Sequence, residues 1–128
     1  MIKKTLHFII LVIVFVVLAA CSSQERSQED RNNLVNKVNT LSDHWINYKG
    51  VSENKKSMVQ SQFIPYDPNN KYEVSLDTYV SYFNGENFIK TELYVDTPDI
   101  IDTVEEADGI ILSFNKENKS GMQLVEVE

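Results

Sequence analysis

Apolar and polar positions follow four different patterns along this chain, and each predicts a different element. Phe8–Ala20 is unbroken apolar sequence behind a basic Met1-Ile-Lys-Lys-Thr start. It is shorter than the ~20 residues of a membrane-crossing helix, and with its basic lead it matches a secretory signal peptide over residues 1–20. Ser22–Asn33 holds no apolar residue and cannot pack, so residues 21–33 read as a flexible linker. Leu34, Val38, Leu41 and Trp45 then recur at spacings of four, three and four, which predicts a short amphipathic helix over 34–44. The competing reading is a brief coiled-coil stem. The stripe covers under two heptads where ~3–4 are needed, so the oligomeric state stays open.

Beyond Val51 the helical period is lost and turn signals come close together. Strands are predicted at Met58–Ile64, Lys71–Leu76, Thr78–Phe83, Phe88–Val95, Ile110–Phe114 and Met122–Val127, with a shorter one over Ile100–Val104. Pro65-Tyr-Asp-Pro68-Asn-Asn70 stops the first by fixed φ and by side chains that bond their own backbone. Asn84-Gly85 is the strongest hairpin signal, although the interval to Phe88 leaves room for a loop longer than two residues. Ile110–Phe114 is the most apolar segment and is expected at the centre. Six or seven short strands without intervening helices predict an all-β, antiparallel sandwich over 45–128.

Charge narrows the partners. Taking Lys3 and Lys4 from the 12 basic residues leaves 10 against 19 acidic ones, a net charge of −9 for residues 21–128. Nucleic acid wants a basic footprint and is not expected as a partner. The same charge repels anionic surfaces, so membrane contact should come through a lipid and not through the fold.

Leu18-Ala19-Ala20-Cys21 closes the apolar run and contains the only cysteine. It resembles the lipobox of bacterial lipoproteins, in which a small-residue pair precedes a cysteine that is acylated and becomes the mature N-terminus. An uncleaved anchor helix over Leu6–Ala20 is the competing reading, but it leaves the small-small-Cys order unexplained. The resemblance implies that Cys21 is a lipid attachment point, that the membrane is a partner through that lipid, and that the domain is extracytoplasmic. Lys/Asn/Ile-rich usage suggests a Gram-positive cell surface.

A second resemblance lies further on. Ser61-Gln-Phe-Ile-Pro-Tyr-Asp-Pro-Asn-Asn-Lys-Tyr-Glu-Val-Ser75, then Tyr79–Asn84, Phe88-Ile89, Ala107–Phe114 and Met122–Glu126 resemble, in that order, the carbohydrate-binding-module-like jelly-roll domains of phage tail and baseplate proteins and some bacterial surface enzymes. The resemblance covers Trp45 to Glu128 and implies a jelly-roll-like sandwich that binds glycan. It departs from those proteins in standing alone behind a lipid anchor, with no hydrolase domain attached.

Candidate chemistry follows the same lines. Sugar rings stack on flat aromatic faces, with amides and carboxylates bonding the hydroxyls; Trp45, Tyr48, Tyr66, Tyr82 and Tyr94 are the aromatic candidates, with Asn47 and also Asn54 and Asn84 as polar neighbours. Core packing competes for every one of these aromatics. An envelope or phage protein is the alternative partner to a cell-wall or surface glycan. No catalytic activity is expected: His44 beside Asp43 lacks a nucleophile, and no G-x-S-x-G or phosphate loop is present. The carboxylates at Asp96, Asp99, Asp102, Glu105, Glu106 and Asp108, and the Asp67-Pro-Asn-Asn70 turn, lack the spacing of a calcium loop and read as solvated surface, so neither metal nor cofactor is expected.

Overall fold

A computed structural model describes residues 32–128; the predicted signal peptide, Cys21 and nearly all of the linker lie outside them. The unit Asn33–Glu128 is all-β, built from two antiparallel sheets. Its strands are β1 (Leu41–Ile46), β2 (Ser52–Gln60), β3 (Ile64–Pro65), β4 (Lys71–Val74), β5 (Thr78–Asn84), β6 (Asn87–Tyr94), β7 (Asp99–Ile100), β8 (Gly109–Asn115) and β9 (Leu124–Val127). The large sheet runs β1-β2-β8-β5-β6, with β3 also on β8, and the small one runs β7-β4-β9.

Alternation sets which side chains meet. Val80 and Tyr82 of β5, and Ile110, Leu112 and Phe114 of β8, share a parity and enter one core with Tyr72 and Val74 of β4 and Leu124 of β9. The apolar strand expected at the centre, β8, is paired to β2, β3 and β5. The hairpin is tighter than its spacing suggests. Asn84 pairs with Asn87, so the turn is Gly85-Glu86, with Gly85 taking the positive φ of 57° that it adopts without strain.

Four expectations need correction. Residues 34–44 form no helix: Leu41–Ile46 is a strand, and Val38 stands 89% exposed. The true anchor of this stretch is Val35, buried against the core, while the Leu34 N–H donates to the Leu124 carbonyl at 2.8 Å. Asn33, placed in the linker, belongs to the domain: its Oδ1 accepts from the N–H groups of Val35 and Leu124 and its Nδ2 donates to the Met122 carbonyl. The strand expected over Met58–Ile64 is broken at Ser61, whose Oγ accepts from the Leu112 N–H at 2.9 Å in place of a backbone carbonyl. The strand expected over Ile100–Val104 ends at Ile100, with one further backbone bond from the Ile101 N–H to the Tyr72 carbonyl at 3.0 Å.

The outer face of the large sheet, away from the core, is the unusual part. Ser81 and Ser113 have the opposite parity to the core residues, yet both are fully buried. Something covers them, and it is the β1–β2 hairpin. Its pairing jumps from Ser42↔Val59 to His44↔Asn54, an irregularity with Asp43 and Ser57 at positive φ. Such a bulge bends a ribbon sharply. Beyond the bend the hairpin lies back across its own sheet: the Ile46 N–H donates to Ser113 Oγ at 3.0 Å, and Thr91 Oγ1 donates to the Asn47 carbonyl at 3.1 Å. At the tip, Gly50 rests on Phe88 so closely that a Cβ there would lie 2.2 Å from the ring.

Candidate functional site

The folded-back hairpin brings Trp45 and Tyr48 to Tyr79 of β5. Ring centroids are 5.0 Å apart for Trp45–Tyr79, 6.0 Å for Tyr48–Tyr79 and 6.1 Å for Trp45–Tyr48, all edge to face. Such pairs hold one another beyond simple area burial. Tyr48 is 59% exposed at the hairpin turn. Asn47 sets that turn, its Oδ1 accepting from the N–H groups of Lys49 (2.8 Å) and Val51 (3.0 Å).

Trp45 is placed differently from the expectation that it is a sugar platform. It is only 8% exposed, its Nε1 donates to Glu53 Oε1 at 3.0 Å, and Lys55 Nζ lies 3.9 Å from the ring centroid over one face. With its N–H satisfied and a face capped by an ammonium group, it steadies the cluster and offers no flat surface. Asn47 is likewise a turn cap whose carbonyl oxygen is spent on two backbone amides.

Tyr66, Tyr82 and Tyr94 were also expected as platforms, and burial rules that out. All three lie in the core, on the other side of the sheet. Their hydroxyls form a closed set with one loop. Tyr82 donates to the Asp102 carbonyl at 3.1 Å, Tyr94 meets Tyr82 at 2.9 Å and accepts from the Asp102 N–H at 2.9 Å, and Tyr66 accepts from the Val104 N–H at 3.0 Å. Burial pushes all three hydroxyls above the ordinary tyrosine value, Tyr82 most of all. They fasten the connection between β7 and β8 to the core. Asn84 ends β5 opposite Asn87, and Asn54 pairs with His44 at the bend of the β1–β2 ribbon.

Beside Tyr79 the outer face opens into a groove of about 330 Å³. Met58, Leu93 and Val95 give it apolar walls, Tyr79 an aromatic one, and Asp77, Asn115 and Asn118 line it with polar groups. Leu93 is paired directly to Tyr79 and is 44% exposed. Asp77 Oδ1 accepts from Thr97 Oγ1 and Asn115 Oδ1 accepts from the Glu117 N–H. The second carboxylate oxygen of Asp77 and the Nδ2 of Asn115 have no partner among the described residues. The groove therefore presents both an acceptor and a donor next to an apolar floor.

None of these groove residues was singled out from sequence. The available signal was that Thr78–Phe83 and Leu93–Val95 are apolar or aromatic at both parities, as expected of strands covered on both faces.

Two carboxylates of the Asp96–Asp108 stretch tie it to the β5–β6 hairpin. Asp108 Oδ1 accepts from the Gly85 N–H at 2.8 Å and Asp102 pairs with Lys90 at 3.4 Å. His44 Nδ1 lies 2.9 Å from the Ser42 carbonyl. Among the described residues no group of three or more His, Cys, Asp and Glu comes together as a metal site, and no helix is long and apolar enough to cross a membrane. Comparison with protein-family models, with curated proteins and with solved structures found no match to the chain.

Proposed function

We propose that the chain is a lipid-anchored extracytoplasmic protein whose β domain binds a cell-wall or surface glycan without acting on it chemically. The observation that supports this best is the groove on the outer face. Tyr79 gives it an aromatic wall against which a sugar ring can lie, and Asp77, Asn115 and Asn118 supply polar partners for hydroxyl groups. Edge-to-face packing from Trp45 and Tyr48 holds Tyr79 in place, so the wall is set before any ligand arrives.

The rest of the reading fits around that groove. Acylation of Cys21 would tether the domain, each buried methylene adding about 0.8 kcal/mol to membrane affinity, while the acidic body stays clear of anionic lipid. Two sheets on one core support a β-sandwich. The repeated crossings between sheets, at β3–β4, β4–β5, β6–β7, β7–β8 and β8–β9, support a jelly-roll-like one. A second reading, an envelope or phage protein as partner, is favoured by the exposed Leu93 and Val95.

Retention of the protein on purified cell wall tests the proposal. Retention should fall at least tenfold in Tyr79→Ala with the far-ultraviolet dichroism unchanged, a loss of about 1.4 kcal/mol. Absence of retention on every wall polymer refutes the glycan reading. Replacing Cys21 by Ser should abolish metabolic palmitate labelling, and persistence of the label refutes the anchor.

A further inference from the structure

We infer that the outer-face groove takes the acetamido group of an N-acetylhexosamine residue, with the acetyl methyl on the apolar floor. The inference rests on the glycan reading above and adds the class of sugar. An acetamido group is one N–H donor, one carbonyl acceptor and one methyl, all within a few bonds. The groove offers a matching set: the unpartnered oxygen of the Asp77 carboxylate as acceptor, the unpartnered amide of Asn115 as donor, and Leu93 and Val95 as apolar floor.

The alternatives fit less well. An unmodified hexose carries hydroxyls around its whole rim, and one of these set on Leu93 or Val95 loses its water without gaining a partner. A uronic acid brings a carboxylate against Asp77 in a domain that is already strongly acidic, which like-charge repulsion opposes. The cavity, at about 330 Å³, is at the small end of the ~300–1,000 Å³ of small-molecule sites, which suits one sugar residue and little more. An acetylated lysine shares the acetamido chemistry. It lacks the ring that would lie on Tyr79 and the hydroxyls that would meet Asn118, so the sugar is the favoured source.

The test uses the full chain in mild detergent with three probes: methyl N-acetylglucosaminide, methyl glucoside and N-acetyl-lysine. Saturation-transfer NMR reports which ligand protons touch the protein. The fluorescence of Trp45, the only tryptophan and 5.0 Å from Tyr79, gives the affinity. Burying the methyl and making two hydrogen bonds should make the N-acetyl glycoside at least about tenfold tighter than the glucoside, with the strongest transfer at the acetyl methyl. Leu93→Ala should weaken the N-acetyl glycoside about fourfold and so narrow its advantage over the glucoside. Equal affinity for the two glycosides, or tighter binding of the glucoside, overturns the acetamido assignment and leaves the glycan reading standing. Binding of N-acetyl-lysine as tight as that of the N-acetyl glycoside overturns the assignment to a sugar. If no glycoside binds by either readout, this inference and the glycan reading fall together.

Discussion

Two sets of aromatic side chains flank the large sheet, and they resemble each other in composition far more than in use. On the inner side Tyr66, Tyr72, Tyr82 and Tyr94 are buried with every hydroxyl bonded, most of them to backbone groups of a single loop. On the outer side Trp45, Tyr48 and Tyr79 lean on one another edge to face, and Tyr48 and Tyr79 retain surface open to solvent. The inner tyrosines spend their polar tips on closing the fold, so nothing is left for a ligand. Of the outer ones, Trp45 is committed through its N–H to Glu53 and through one face to Lys55, while Tyr48 and Tyr79 keep part of their surface open. What separates the inner tyrosines from Tyr48 and Tyr79 is that every inner hydroxyl is committed to the fold.

Alkali should break the comparison most visibly. Because burial raises the hydroxyls of Tyr66, Tyr82 and Tyr94 above the ordinary 10.0, the fold favours their neutral forms. The stability they lend is complete below that value and is lost as pH climbs above it. Tyrosinate absorbance and circular dichroism should therefore change together above pH 10.0 for the inner set; ionisation of those residues with the fold intact would contradict it.

Tyr82→Phe comes next. It leaves the Tyr94 hydroxyl without its acceptor inside the core and should cost about 1–3 kcal/mol by chemical denaturation. A variant as stable as the parent would mean that the hydroxyl ring fastens nothing. Gly50→Ala puts a Cβ into Phe88 at a φ of 78° and should cost about 1 kcal/mol or more. Its second effect is the informative one: the hairpin tip lifts, so the fluorescence of Trp45 should shift while the inner tyrosines keep their alkaline transition.

Tyr48→Ala, at an exposed turn, removes two edge-to-face contacts and should cost about 0.5–1 kcal/mol while lowering retention on cell wall. A loss of stability comparable to that of Tyr82→Phe would erase the distinction between the two sets. The smallest effect is expected at the bend. The ammonium of Lys116 and the Ser57 N–H hold the Asp43 carboxyl below its ordinary 3.8. That contribution is present above pH 3.8 and is lost as pH falls through the lower value set by the fold. Asp43→Asn should flatten a slight acid-side loss of stability, measurable as the midpoint of denaturation between pH 5 and pH 2.

Much of this fold was legible in the sequence, and the failures have physical causes. β4, β5, β6, β8 and β9 follow from alternation, with Asn84-Gly85 marking the hairpin and the proline-bounded turn closing the stretch before β4. β1 was hidden because Leu34, Val38, Leu41 and Trp45 happen to fall at helical spacing. Of the four only Trp45 is buried, and the residues that anchor this stretch to the rest are Val35 and Ile46. The bend at Asp43 and Ser57 had no signature, since neither residue is a glycine. The site depended on that bend. Trp45 and Tyr48 were singled out as platforms from their place before the main strands, and Tyr79 joins them only because a ribbon folds back over its own sheet. Local pattern sees the two parities of a strand; it does not say which parity faces the core and which faces a groove.

A ligand that meets the outer face should leave the inner tyrosines untouched. Backbone amide chemical shifts of the isotope-labelled protein, recorded while soluble cell-wall fragments are added, test it directly. Perturbations should gather at Tyr48, Tyr79, Leu93, Val95 and Asn115, with Tyr72, Val74 and Leu124 of the small sheet unmoved. Perturbations centred on the small sheet, or none at any concentration of fragment, would contradict it.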